Sequence, residues 1–211
     1  MSPFVTFEGI EGSGKSTHLR QLAVELRRRG REILETREPG ATRAGAAIRD
    51  LVLAADGAPL TALAELFLYC ADRAQHLDEI VRPALAAARV VLCDRFSDST
   101  IAYQGYGRGL PLDTVRALDA SARRGLDPTL TILLDCPVVE GLARARGRSY
   151  SAAPDRFEAE ASAFHERVRA GFLELAAASP ARFVVIDARA PLTEVGVRIL
   201  AAVERHLERA R

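Results

Sequence analysis

Short, almost continuously apolar runs alternate along the chain with longer segments of helical periodicity. The apolar runs are rich in β-branched residues and predict strands at 4–7, 32–36, 90–93, 130–134 and 183–186. The periodic segments predict helices at 17–29, 63–88, 112–124, 137–146, 159–178 and 192–209. Continuously apolar strands are typical of a parallel sheet that helices cover on both faces. We therefore predict one α/β domain over residues 1–211, built on a five-stranded parallel sheet.

Composition and charge limit what the chain is expected to bind. The formal charge of +1 gives no overall field that would attract nucleic acid or an anionic membrane. The first residues reach charge and glycine too early for the apolar centre of a signal peptide, and no apolar run is long enough to span a bilayer. The three cysteines lie far apart and form no metal-binding motif. We expect a reduced, cytoplasmic protein that binds neither nucleic acid nor membrane.

A glycine-rich motif joins the first predicted strand to the first predicted helix. Residues 9–16 read GIEGSGKS and fit G-x-x-x-x-G-K-[ST], the P-loop pattern whose backbone N–H groups surround phosphate oxygens. Lys15 is the only lysine among the 29 basic residues, and it occupies the position that reaches the β- and γ-phosphates. The Ser16 hydroxyl occupies the position that ligates Mg²⁺. The predicted nucleoside triphosphate site consists of Gly9, Ile10, Glu11, Gly12, Ser13, Gly14, Lys15, Ser16 and Thr17.

Two charged residues follow the third predicted strand. Asp94 and Arg95 come directly after the run 90–93, and ligands of α/β proteins bind outside the carboxyl ends of parallel strands. Asp94 could orient Mg²⁺ through water or position the attacking oxygen, and Arg95 could neutralise a transferring phosphoryl group. Asp94 could also simply cap the segment that follows it. We predict Lys15, Asp94 and Arg95 as catalytic residues, with Ser16 and Asp94 as metal ligands.

Five segments together carry a family resemblance. They are FEGIEGSGKST (7–17), TREPGAT (36–42), LYCADRAQH (68–76), DRFSDSTIAYQGYGRGL (94–110) and PDRFE (154–158). The sequence resembles bacterial thymidylate kinase over nearly its whole length, and the fourth segment is the most specific because generic P-loop proteins lack it. The resemblance implies the three-layer P-loop NTPase fold of nucleoside monophosphate kinases and a homodimer. It also implies Mg²⁺-dependent transfer of the ATP γ-phosphoryl group to dTMP, which yields dTDP for dTTP synthesis.

The resemblance further implies a binding site for dTMP. It assigns the dTMP phosphate to Arg37 and Arg49, whose planar guanidinium groups suit phosphate oxygens. Tyr69, at a position where the family usually has phenylalanine, would stack on thymine, and Arg73 one helical turn later would donate to thymine O4. Tyr103 would pack against the deoxyribose 2′ position and disfavour ribonucleotides. The other implied dTMP-binding residues are Glu38, Pro39, Ser99, Thr100 and Gln104.

An arginine-rich segment follows the fourth predicted strand and its helix. The stretch RARGRSYSAAPDR at 144–156 could be a nucleic-acid patch, a by-product of an arginine-rich chain, or a lid over an active site. Positions 10–13 of the P-loop carry no basic residue, and the bacterial class of the family supplies its arginines from a lid instead. The resemblance therefore implies a lid at 144–156, with Arg146 and Arg148 acting on the transferring phosphoryl group and Arg144 binding ATP.

Three other classes of function stay open from the sequence. Another P-loop nucleoside monophosphate or deoxynucleoside kinase would differ in the acceptor segments 36–42, 69–73 and 94–104. A regulatory GTPase would need the guanine-reading motif N-K-x-D, which a chain whose only lysine is Lys15 cannot contain, but a regulatory ATPase would not need it. A catalytically inactive dimeric homologue would have lost motif residues, and the motifs described above are intact.

Overall fold

The computed structural model describes residues 2–54, 59–148, 156–158 and 160–209, apart from the side chains of Arg148 and Arg209. Its strands are β1 Phe4–Glu8, β2 Ile33–Arg37, β3 Val90–Asp94, β4 Leu130–Asp135 and β5 Phe183–Asp187. They form one parallel sheet in the order β2-β3-β1-β4-β5. The five predicted strands are confirmed, and each ends one residue beyond its apolar run on a charged residue. Charged groups therefore converge on one edge of the sheet.

Helices cover both faces of this sheet. They are α1 Lys15–Arg28, α2 Arg43–Leu53, α3 Ala62–His76, α4 Arg82–Ala86, α5 Ser97–Thr100, α6 Leu112–Arg123, α7 Val138–Arg148, α8 Ser162–Ala178 and α9 Leu192–Arg209. A π-helical segment, Leu77–Val81, joins α3 to α4, and a second one, Ile101–Gly107, extends α5. The predicted helices are confirmed. No residue range was predicted for α2 or for the helical segment that starts at α5. The latter contains serine, threonine and glycine, which have low helix propensity.

Alternate side chains of the central strand β1 face different helix layers. Val5 and Phe7 lie in a buried cluster with apolar residues of α1 and α9. On the opposite face, Phe4 packs with Leu77, and Leu133 of β4 packs with residues of α8. This gives the predicted three-layer α/β architecture. No helix within the described ranges is both long and apolar enough to cross a membrane.

The glycine-rich loop after β1 packs directly on α7. Gly12 has a φ of +72°, and a Cβ atom there would lie 1.8 Å from the carbonyl oxygen of Gly141. Conversely, a Cβ atom on Gly141 would lie 2.7 Å from the carbonyl oxygen of Glu11. Only glycine permits this backbone contact. The loop is therefore held against the helix that leads into the arginine-rich segment.

Replacing Gly141 by alanine tests this contact. The added methyl group must separate α7 from the loop, and overpacking of this kind lowers the free energy of unfolding by about 1–3 kcal/mol. Gly147 on the same helix is the matched control, because a Cβ atom there meets nothing within 4 Å. Gly147→Ala should be neutral or stabilising by up to about 1 kcal/mol. Urea denaturation measures both variants, and equal stabilities would contradict the proposed contact.

Candidate active site

A cavity of about 270 Å³ lies beyond the carboxyl ends of β1, β2 and β3. Most of the predicted site residues line it, namely Glu11, Gly12, Gly14, Lys15, Ser16, Arg37, Glu38, Pro39, Arg49, Tyr69, Arg73, Asp94, Arg95, Ser99, Thr100, Tyr103 and Gln104. The P-loop residues Gly9, Ile10 and Ser13 lie outside its wall, as does Thr17, which is exposed on α1. The fold thus brings together segments that are far apart in the sequence.

The P-loop surrounds the ammonium group of Lys15. Lys15 Nζ donates hydrogen bonds to the carbonyl oxygens of Gly9, at 2.9 Å, and Ile10, at 2.7 Å. Gly14, with a φ of +95°, turns the chain into α1, so that the N-terminus of this helix faces the cavity. Burial, aided by the positive charge of Arg95, lowers the pKa of Lys15 to about 7. A bound polyphosphate would restore the charge of this lysine.

The two predicted metal ligands are in contact. The Ser16 hydroxyl donates a hydrogen bond to Oδ2 of Asp94, which ends the strand next to β1. Among the described residues, no group of three or more His, Cys, Asp or Glu side chains is arranged to hold a metal. Mg²⁺ in phosphate-transfer sites needs only one or two protein oxygens and takes its other ligands from water and phosphate. One hydroxyl and one carboxylate therefore fit this ion.

Glu11 of the P-loop joins the loop to residues that follow β3. Its Oε1 accepts hydrogen bonds from Arg95 Nη2 at 2.9 Å and from the Tyr103 hydroxyl at 2.5 Å. Burial alone would raise the pKa of Glu11, but Arg95 and the other polar neighbours outweigh burial and hold that pKa well below its usual value. Arg95 also donates to the carbonyl oxygen of Gly9 at 3.0 Å. Its φ of +69° is a strained conformation for a non-glycine residue, which these contacts maintain.

The opposite wall of the cavity is built around the guanidinium group of Arg73, which is 1% exposed. Its Nε donates to Glu38 Oε2 at 3.0 Å, its Nη1 to Asp119 Oδ1 at 2.6 Å, and its Nη2 to Thr100 Oγ1 at 3.0 Å. His76 Nδ1 lies 2.8 Å from the second carboxylate oxygen of Glu38. The direct contact of Arg73 with thymine stays a prediction.

Two arginines and an aromatic group complete this wall. Arg37 ends β2 beside Asp94 in register, and Arg49 donates to the Pro39 carbonyl oxygen at 3.0 Å. Both arginines line the cavity, as the assignment of the acceptor phosphate to them requires. The ring of Tyr69 lies 6.5 Å from that of Phe157, measured between centroids. These contacts place an apolar surface next to the basic groups.

Four residues of the cavity wall had no predicted role: Leu53, Phe96, Phe157 and Glu158. Phe157 and Glu158 belong to the segment 154–158 that helped to carry the resemblance, so their position after the lid was an available signal. Phe157 packs edge-on against Tyr103, with the ring centroids 5.5 Å apart. Leu53 ends α2, and no motif marks it.

The predicted lid is described only in part. Arg144 Nη1 donates to the Ala188 carbonyl oxygen at 2.8 Å, next to the loop after β5. Arg146 is exposed on α7, and neither arginine lines the cavity. The side chain of Arg148 and the residues 149–155 lie outside the described part of the chain. The roles assigned to these arginines stay predictions.

Comparison with known proteins identifies relatives of the whole chain. The family model described as thymidylate kinase matches residues 7–199. Thymidylate kinase of Desulfovibrio desulfuricans is 51% identical over 98% of this chain and 97% of its own length. Thymidylate kinase of Trichlorobacter lovleyi is 51% identical over 95% of this chain and 96% of its own length. The crystal structure of thymidylate kinase from Ehrlichia chaffeensis has a TM-score of 0.76 and 33% identity, covering 96% of this chain and 98% of that one.

The lowered pKa of Lys15 predicts proton uptake when a triphosphate binds. At pH 8 the free lysine is mostly neutral because its pKa is about 7, and a bound triphosphate raises that pKa again. Binding should then take up about one proton per site at pH 8 and almost none through Lys15 at pH 6. Titration calorimetry of a non-hydrolysable ATP analogue in buffers of different ionisation enthalpy measures this uptake. Lys15→Arg is the control, because its guanidinium stays charged throughout. Buffer-independent heats for the wild type at pH 8 would rule the mechanism out.

Proposed function

The chain belongs to the thymidylate kinase family, and from this premise we infer that it transfers the γ-phosphoryl group of ATP to dTMP. The observation that carries this inference is the shared cavity. Lys15 of the P-loop and the acceptor residues Arg37, Tyr69 and Gln104 line the same space. A donor site and an acceptor site that open into one cavity support direct transfer between two bound nucleotides.

The reaction requires no covalent participation by the protein. A phosphate oxygen of dTMP attacks the γ-phosphorus of ATP, and the new P–O bond forms as the bond to the β–γ bridging oxygen breaks. The electron pair of that bond leaves with ADP, and the products are ADP and dTDP. Because the transferring group spreads negative charge over its three outer oxygens, positioning and positive charge provide the catalysis.

Residues of the P-loop would hold the donor. The ammonium of Lys15 exchanges its loop carbonyl partners for β- and γ-phosphate oxygens, which the N-terminus of α1 also attracts. Ser16 and Asp94 would hold Mg²⁺, which would supply positive charge next to the phosphate groups of the donor. Arg95, fixed by its contacts with Gly9 and Glu11, would lie beside the path of the transferring group.

Residues of the cavity wall around Arg73, which we call the acceptor wall, would hold dTMP. Arg37 and Arg49 would bind its phosphate, since both residues line the cavity. Tyr69 and Phe157 offer apolar faces to the base. Tyr103 is held by its hydrogen bond to Glu11, so its ring can fill the space of a ribose 2′-hydroxyl without moving. This arrangement favours a deoxyribonucleotide.

We assign Arg144, Arg146 and Arg148 to a lid that belongs to the same single domain. The contact of Arg144 with Ala188 supports a place for this arginine near the adenine side of the donor site. Arg146 and Arg148 would reach the transferring phosphoryl group on closure, in keeping with a P-loop that lacks a basic residue at 10–13. If Arg146 has this role, Arg146→Ala should lower kcat and leave the affinity for dTMP unchanged.

We also propose that the chain forms a homodimer through α2 and α3. Leu63 and Phe67 are four residues apart on α3, with 43% and 51% of their surface exposed, and Leu51 on α2 is 46% exposed. These helices pack together, so the three apolar side chains can form one patch of the kind that marks an interaction surface. A sedimentation mass equal to one 22.8 kDa chain would contradict the dimer. The cytoplasmic setting expected from the sequence stays a prediction.

An acceptor panel tests the proposed reaction. With ATP and Mg²⁺ present, ADP release coupled to a spectroscopic readout is measured with dTMP, dUMP, AMP, GMP and CMP. We expect kcat/KM for dTMP to exceed that for the purine nucleotides by at least about 10²-fold, because the acceptor wall is shaped for a deoxyribopyrimidine. The assignment fails if dTMP is no better than AMP. ATP hydrolysis that no acceptor accelerates would instead indicate a regulatory ATPase.

A further inference from the structure

Glu65, which no motif singled out, lies on α3 one turn before Tyr69 and is completely buried. Three side chains contact its carboxylate. Gln104 Nε2 donates to Oε1 at 2.8 Å, Arg156 Nη2 donates to Oε2 at 2.7 Å, and Arg108 donates to both oxygens at 3.2 Å. One buried carboxylate thus joins the acceptor segment after β3 to Arg156, the last residue of the predicted lid segment.

The two arginines hold this carboxylate in place. A buried carboxylate needs compensating charge, and Arg108 and Arg156 supply it from two sides. Arg108 is itself held, since its guanidinium carbon lies 4.8 Å from the ring centroid of Phe164 and it pairs with Glu160. Glu65 is therefore a fixed carboxylate that accepts hydrogen bonds on both of its oxygens.

Because Glu65 is a fixed hydrogen-bond acceptor, it determines which end of the Gln104 amide faces it. An ionised carboxylate only accepts hydrogen bonds, so the group directed at Glu65 must be the amide NH₂ and not the carbonyl. Gln104 is 1% exposed and lines the acceptor cavity. Its carbonyl Oε1 is consequently the hydrogen-bond acceptor that this amide can offer to a ligand. Without Glu65, the two ends of the amide could exchange, because they have nearly the same shape.

We propose that Glu65 is a positioning residue that orients Gln104 as a hydrogen-bond acceptor and so selects pyrimidines that carry a proton on N3. Thymine and uracil present an N3–H donor, whereas N3 of cytosine is an acceptor and would face the carbonyl oxygen of Gln104 unpaired. Two buried polar atoms that face each other without a hydrogen bond are unfavourable. The orientation of the Gln104 amide therefore favours thymine and uracil over cytosine. This inference rests on the proposed function and explains one feature that determines which nucleotide receives the phosphoryl group.

The test compares dTMP with 5-methyl-dCMP, which keeps the methyl group, sugar and phosphate but lacks the N3 proton and has an amino group at C4. In Glu65→Gln, the neutral amide at position 65 can donate as well as accept, so Gln104 can turn its NH₂ group toward cytosine N3. We expect the ratio of kcat/KM for dTMP to that for 5-methyl-dCMP to fall by about 10-fold, the size of one hydrogen bond. The matched control is Glu160→Gln, which makes the same change in a carboxylate that also pairs with Arg108 but does not contact Gln104. The ratio of kcat/KM for dTMP to that for 5-methyl-dCMP, called the acceptor ratio, should be the same in Glu160→Gln as in the wild type.

Two further measurements separate positioning from a structural role. In a Gln104→Leu background, Glu65→Gln should no longer alter the acceptor ratio, because the amide that it orients is gone. If Glu65→Gln does not fold, Glu65→Asp keeps the charge for the arginines but draws the carboxylate away from Gln104, and the same fall is expected. An unchanged ratio in a folded Glu65 variant, with both acceptors losing activity equally, overturns the proposal. A wild type that does not prefer dTMP to AMP would instead refute the proposed function.

Discussion

The buried guanidinium of Arg73 is the interaction on which the acceptor side of this protein depends. It joins the loop after β2 through Glu38, α6 through Asp119 and α5 through Thr100, and each of these partners is at most 3% exposed. Removing charges from water is unfavourable, and only a complete set of partners compensates for it. Loss of one partner would leave a buried charge unpaired, at a cost of about 3–5 kcal/mol. The acceptor wall is therefore held together by contacts within the protein itself.

The donor side is held by close backbone contacts together with an ion pair between Glu11 and Arg95. Gly12 and Gly141 allow the P-loop to lie directly on α7, and the two halves of the cavity meet at Glu11, which binds Arg95 and Tyr103. A shift of the P-loop would consequently move the groups that line the acceptor side. This coupling links the P-loop to the proposed dTMP-binding residues within one cavity.

Local sequence signals predicted the strands, most helices and the P-loop, because each depends on residues that are close together in the chain. The charged residue that ends each strand belongs to the strand, although the apolar pattern stops one residue earlier. Glu65 and Asp119 went unpredicted because their partners come from distant segments, and burial of a lone carboxylate cannot be inferred from an amphipathic helix. The resemblance led to Arg73 as a base-binding residue, whereas its ion pairs with Glu38 and Asp119 became visible only in three dimensions.

The central claim is that this ion-paired wall forms the dTMP site. Equilibrium binding of dTMP to Arg73→Lys, in the absence of ATP, tests it most directly, since lysine keeps the charge but cannot contact Glu38, Asp119 and Thr100 together. The account predicts that dTMP binds about 10- to 100-fold more weakly, the effect of losing hydrogen bonds to charged groups. Binding of an ATP analogue should be unchanged, and a melting curve establishes that the variant is folded. A folded variant that binds dTMP as tightly as the wild type would contradict the account.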